Sequence, residues 1–260
     1  MSHPSWSGSH AGSNAAGSTY AVHDSAGHDA AGHDAAGHGA AGHDPDTHPT
    51  SPRVTGLLLA AGSGSRYGHP KALVEGVDGR PWVLSSAHTL LKGGCGDVLV
   101  VTGAQGEDVE NILNDSSDPR ISWIRCGTWE QGMGESLRSG LTALATRGRT
   151  VPIQALIHLV DLPDIGPDVV ARLLATHPTG TAGAGADALV RAAYRGASGH
   201  PVLLGQAHWQ AVLDLAKGDA GARSYLRRAQ PQLVECGDLA TGLDIDSPTD
   251  IDSPSDRRTP

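Results

Sequence analysis

No Lys or Arg occurs before Arg53, and the 52 residues preceding it are almost entirely Ala, Gly, Ser, His, Asp, Pro and Thr. Nothing in that stretch offers an apolar face to bury, which predicts a disordered low-complexity tail over 1–52 and places the globular domain at 53–260. Excess positive charge is lacking as well. The chain carries a formal charge of -9, of which Asp24, Asp29, Asp34, Asp44 and Asp46 account for five, leaving -4 for the domain. Such a balance gives no electrostatic footprint for nucleic acid or an anionic membrane. Cysteine is scarce: Cys95, Cys126 and Cys236 are widely spaced and outside any C-x-x-C pattern. That excludes a disulfide framework and a zinc ribbon and fits a reducing, cytoplasmic compartment. Also missing are an apolar run of membrane-spanning length and the basic start and apolar centre of a signal peptide.

What the tail does contain is a five-residue repeat, Ala-Ala-Gly-His-Asp in its clearest form, which sets His28, His33, His38 and His43 at a constant interval. Histidine tracts bind Zn²⁺ or Ni²⁺ through neutral imidazoles, but without a folded frame to fix the ligands a drifting low-complexity extension is the simpler reading.

Beyond residue 53, apolar runs at Val54 to Ala61, Val98 to Thr102, Ile121 to Ile124 and Ala155 to Val160 have the character of buried strands. Helical periodicity occupies Pro81 to Leu91, Glu107 to Leu113, Glu135 to Ala145 and Pro167 to Ala175. Alternation at this spacing predicts an α/β fold with a mostly parallel sheet flanked by helices. After Gly180 the pattern changes. Ala186 to Tyr194 and Pro201 to Leu204 suggest a hairpin or edge strands, Trp209 to Leu215 and Ala222 to Arg228 helices, and Gln232 to Glu235 a short strand. Ligands of open α/β sheets sit beyond the carboxyl ends of the strands, so loops 62–71 and 161–166 should meet there.

The first of those loops has phosphate chemistry in its composition. Leu59-Ala60-Ala61-Gly62-Ser63-Gly64-Ser-Arg66-Tyr-Gly68-His-Pro-Lys71 combines glycines that let backbone N–H groups approach phosphate oxygens, a planar guanidinium and a mobile ammonium. A dinucleotide fingerprint is excluded because the third glycine comes one residue late. A P-loop is excluded because Lys71 lies between Pro70 and Ala72. Further along, Leu159-Val-Asp161-Leu-Pro163 ends a strand on a carboxylate, which is costly at such a place without a cationic partner. No G-x-S-x-G, H-E-x-x-H or recognisably activated Cys offers a covalent nucleophile.

The loop string resembles the nucleotide-binding signature of MobA-like nucleotidyltransferases, the family that includes the molybdenum cofactor guanylyl- and cytidylyltransferases. The resemblance covers nearly all of 54–251. It extends to Gly127-Thr-Trp-Glu-Gln-Gly-Met-Gly-Glu-Ser136-Leu-Arg-Ser-Gly140, to the Asp161 segment, to Ser198-Gly-His200-Pro, to Gly218-Asp-Ala-Gly-Ala-Arg223 and to Asp244-Ile-Asp246-Ser-Pro. It implies a Rossmann-like sheet of the nucleotide-diphospho-sugar transferase type and an Mg²⁺-dependent transfer of NMP from an NTP to a phosphate-bearing acceptor.

In that reading Leu59, Ala60, Ala61, Gly62, Ser63, Gly64, Arg66, Lys71 and Ser136 bind nucleotide, with Arg66, Lys71 and Asp161 catalytic. Asp161 holds the metal together with one of Asp244 and Asp246, the other capping a last short helix begun by Pro248. His200 and Arg223 lie on the acceptor side, while Asp219 reads as an N-cap. The Ala-Ala-Gly start matches the cytidylyl branch, which implies CTP, a molybdopterin acceptor and a molybdoenzyme as partner. Two other classes compete. The run Gly68-His-Pro-Lys-Ala-Leu73 also resembles oxidoreductases of the nicotine blue type, which would hold a flavin or nicotinamide nucleotide. A non-catalytic molybdenum cofactor chaperone is the third.

Overall fold

A computed structural model describes residues 54–147, 154–177 and 185–247. The tail, its histidine repeat and the helix expected from Pro248 lie outside these residues. Among the described residues seven strands form one sheet in the order β3-β2-β1-β4-β6-β5-β7. They are β1 (Val54–Leu59), β2 (Asp97–Thr102), β3 (Ile121–Arg125), β4 (Gln154–Leu159), β5 (Leu189–Tyr194), β6 (Ala197–Gly205) and β7 (Gln232–Glu235). β1 runs parallel to β2 and β4, and β2 parallel to β3. β6 reverses direction and pairs antiparallel with β4 and β5, and β7 closes the far side parallel to β5. The expected hairpin is therefore β5 and β6, but neither strand is an edge; the edges are β3 and β7. Val202 to Gly205 are all buried, as a strand with neighbours on both sides and layers above and below must be.

Among the described residues six helices cover the sheet: α1 (Trp82–Lys92), α2 (Gly106–Asp115), α3 (Met133–Thr146), α4 (Pro167–Ala175), α5 (Trp209–Leu215) and α6 (Arg223–Ala229). Strand alternation divides the core into two layers. Leu58, Val98, Val100 and Leu156 point to the layer containing Leu90 of α1 and Val170 of α4. Leu57, Leu99, Val101 and Ile157 point to the layer containing Leu137, Leu141 and Leu144 of α3 and Trp209 and Val212 of α5. The α3 positions recur at three- and four-residue spacing, so one stripe of that helix lies on the sheet. Among the described residues no helix is long and apolar enough to cross a membrane.

Candidate active site

The carboxyl ends of β1 and β4 open into a cleft of about 390 Å³. Its floor is the β1 loop, whose shape depends on Gly64. The backbone there takes φ +61°, and a Cβ would lie 2.0 Å from the His69 carbonyl oxygen, so only glycine fits this turn without strain. The Gly64 carbonyl accepts from the Tyr67 and Gly68 N–H groups, both at 2.8 Å. The Tyr67 ring stacks edge-on to His69 at 5.2 Å and leans on Trp82 at 6.1 Å, which ties the loop to α1. Leu59, Ala61, Gly62, Ser63, Gly64, Arg66 and Lys71 line the cleft. Ala60 is outside the lining, its side chain turned into the α1 layer by strand alternation.

Charge concentrates at the cleft mouth. Lys71 opens a short 3₁₀ turn, Lys71–Leu73, and its Nζ donates to Asp161 Oδ2 at 3.1 Å and Asp246 Oδ1 at 3.0 Å. Arg66 Nη1 donates to Asp246 Oδ2 at 2.9 Å. Burial pulls the Lys71 pKa down, but the two carboxylates outweigh it and hold it above the ordinary lysine value. In return the Lys71 hydrogen bond, with Arg66 beside it and against the effect of burial, holds Asp246 below the usual carboxylate range. The Arg66 side chain is 79% exposed, so its pair is screened and contributes little to stability.

The chain path determines which terminal aspartate reaches the cleft. Ile245 is buried, and its N–H donates to the Asp161 carbonyl at 3.0 Å. That seats Asp246 in the cleft, while Asp244 is exposed and absent from the lining. Asp161 does not cap α4, whose first turn begins at Pro167 after an extended Gly166 with no side-chain cap.

The opposite wall comes from the start of α3. Ser136 lies buried in the helix's first turn and lines the cleft with Trp129, Glu130, Gly132 and Met133. Asp219 also lines it, from the 3₁₀ turn Gly218–Ala220. It is not an N-cap, since α6 starts after Ala222 without a side-chain cap. Sequence reading misses this wall residue because the short turn interposed before α6 moves Asp219 away from the helix start. His200 and Arg223, expected on the acceptor side, are outside the lining.

Can this donor set hold a divalent cation? Two carboxylate oxygens already share one bound positive charge, the Lys71 ammonium, which is the chemistry a hard cation requires. Among the described residues no group of three or more His, Cys, Asp and Glu gathers. Asp161 and Asp246 therefore fit a cation that brings the rest of its ligands as phosphate oxygens.

A glycine-rich loop, two cations and a carboxylate pair at the carboxyl end of a mostly parallel sheet match a known family in sequence as well. Residues 56–233 match the model of the MobA-like NTP transferase domain. The chain belongs to this family. The chain shares its fold with a nucleotidyl transferase from Methanothermobacter thermautotroptrophicus, which is similar at a TM-score of 0.61 and 20% identity over 76% of this chain and 94% of that one. Rv0371C from Mycobacterium tuberculosis H37Rv, solved as a complex with manganese, is similar at 0.53 and 18% over 74% and 94%. A curated relative, nicotine blue oxidoreductase of Paenarthrobacter nicotinovorans, is 36% identical over 199 residues, 75% of this chain and 93% of that protein. This MobA-like chain is thus an enzyme on a nucleotidyltransferase fold.

Proposed function

We propose that this enzyme transfers a nucleoside monophosphate, CMP from CTP, to the phosphate of an acceptor of the molybdopterin type, releasing pyrophosphate in the cytoplasm and passing its product to a molybdoenzyme. The observation that carries the transfer is the Lys71 ammonium held between Asp161 and Asp246 at the mouth of a glycine-rich loop. The loop N–H groups and Ser136 seat the nucleotide, and Arg66 and Lys71 face its phosphates. An acceptor phosphate oxygen attacks the α-phosphorus, the bond from that phosphorus to the oxygen bridging to the β-phosphorus breaks, and the electron pair leaves with pyrophosphate. Charge grows on that leaving group, and Arg66 and Lys71 stabilise it, so catalysis is positioning and electrostatics with no covalent enzyme intermediate. Asp161 and Asp246 would hold Mg²⁺, which would supply neutralisation of phosphate charge. His200 and Arg223 serve the acceptor. The base assignment rests on the Leu59-Ala60-Ala61-Gly62 start.

The test is pyrophosphate release with CTP, GTP, UTP and ATP in turn, with Mg²⁺ and molybdopterin. CTP should give release; GTP preference would overturn the base assignment, and silence with all four would overturn the transferase.

The relative named nicotine blue oxidoreductase favours a second reading, in which the same loop holds the pyrophosphate of a nicotinamide or flavin nucleotide. NADH-oxidising activity in protein that purifies yellow would establish it. The carboxylate pair beside Lys71 supports the transferase instead, because a diphosphate cofactor has less need of a metal.

A further inference from the structure

Trp129 is held differently from the other described tryptophans. Trp82 and Trp209 are buried in the core, and Trp209 gives its N–H to the Leu204 carbonyl at 3.1 Å. Trp123 gives its N–H to Asn114 Oδ1 at 3.0 Å. Trp129 is only partly buried: it packs on the α3 layer and also lines the cleft, and its N–H has no partner among the described residues. It opens a 3₁₀ turn, Trp129–Gln131, between β3 and α3. The turn is closed by the Gln131 N–H donating to the Thr128 carbonyl and the Gly132 N–H to the Trp129 carbonyl, both at 3.0 Å.

The seat of the indole is made by a missing side chain. Gly103 follows β2 without a positive φ, so room rather than backbone freedom is what the position uses. A Cβ there would come 2.8 Å from Trp129 Cγ, 2.7 Å from Ala61 Cβ and 2.6 Å from the Ala61 carbonyl oxygen. Bare backbone at Gly103 thus lets the ring close up on the carboxyl ends of β1 and β2, beside Ala61 of the glycine-rich loop.

The wall around Trp129 does not suit phosphate. Glu130, next to it on the turn, and Asp219 both line the cleft with no ion-pair partner among the described residues. The cleft's cations, Arg66 and Lys71, come instead from the β1 loop. Triphosphate is repelled by the first pair and drawn to the second. With its phosphates at that loop, a nucleotide turns its uncharged, planar base to the Trp129 wall.

We infer that Trp129 is the stacking platform for the nucleobase, seated by the bare backbone of Gly103. The inference rests on the nucleotide reading of the cleft and adds the residue that holds the base. Stacking uses the π-face that every base has, so Trp129 supplies affinity and leaves the choice among bases to other groups.

The test titrates the full chain calorimetrically with Mg²⁺·CTP, with NADH and, as a ligand with phosphates and no base, with Mg²⁺·tripolyphosphate. Trp129→Leu should weaken Mg²⁺·CTP by about tenfold and leave Mg²⁺·tripolyphosphate within about twofold of the unsubstituted chain. Trp129→Tyr keeps an aromatic face and should recover most of the CTP affinity. Absorption-corrected tryptophan emission of the unsubstituted chain should fall with CTP and not with tripolyphosphate, and the fall should vanish in Trp129→Tyr. Undiminished CTP binding by Trp129→Leu overturns the inference. Equal loss of CTP and tripolyphosphate also overturns it, since Trp129 then only supports the wall. Should Trp129→Leu not fold, an emission fall in Trp129→Tyr as large as in the unsubstituted chain is the overturning result. Failure of the nucleotide reading looks different: an unsubstituted chain that binds neither CTP nor tripolyphosphate removes that reading and the inference together. Trp129-dependent binding of NADH without any of CTP keeps the platform and removes the transferase.

Discussion

At Lys71 a single ammonium satisfies two carboxylates from distant parts of the chain, so its removal acts on charge before it acts on packing. Lys71→Ala should lower pyrophosphate release by about 100-fold or more and leave the far-ultraviolet circular dichroism unchanged; an unaltered rate would show that the loop has been misassigned. His158 gives a prediction about stability. It is fully buried on β4 with Nδ1 lacking a hydrogen-bond partner, and burial, with His200 nearby, takes its pKa down to about 3. In the unfolded chain it titrates at an ordinary histidine value of about 6.5. The unfolded state therefore binds the proton first, and stability falls as pH drops from about 6.5 towards 3. His200, which burial first and then the Arg191 charge take to about 4, adds to the same trend. Between pH 7 and 5 the His158 contribution should be on the order of 2 kcal/mol. Urea midpoints at the two pH values measure it, and His158→Gln should flatten the slope.

The placement of residues at the cleft is legible in the sequence where spacing carries chemistry. Lys71 and Asp161 stand out because a cation after a glycine loop and a carboxylate ending an apolar strand each need a partner. Asp244 and Asp246 are indistinguishable by sequence, because only the hydrogen bond from Ile245 to Asp161 and the burial of Ile245 decide which faces inward.

Among the elements, α3 connects fold to site. Its start at Gly132 takes φ +108°, and a Cβ there would lie 2.5 Å from the Gly218 carbonyl carbon of the 218–220 turn. Gly132→Ala must push these segments apart, which should cost about 1–3 kcal/mol and weaken nucleotide binding through Ser136 and Asp219. A thermal midpoint and a CTP titration on one preparation measure both effects; an unchanged pair would mean that the wall is not rigid. Elements with strong periodicity are legible in the residue pattern alone: Pro167–Ala175, Trp209–Leu215 and Gln232–Glu235 match their expected bounds. The interior position of β6 is not, because which strands flank it depends on long-range pairing rather than on its own residues.

At the scale of the whole molecule, the mostly parallel half of the sheet presents the glycine-rich loop, and the reversed β5–β6 hairpin continues the sheet on the other side of β4. The most direct test follows the phosphorus atoms. With molybdopterin, Mg²⁺ and CTP labelled at either the α- or the γ-phosphate, the α-label should appear in the acceptor product and the γ-label in pyrophosphate. Recovery of both labels in intact CTP, with NADH consumed in a parallel reaction, would contradict transfer and assign the cleft to hydride chemistry.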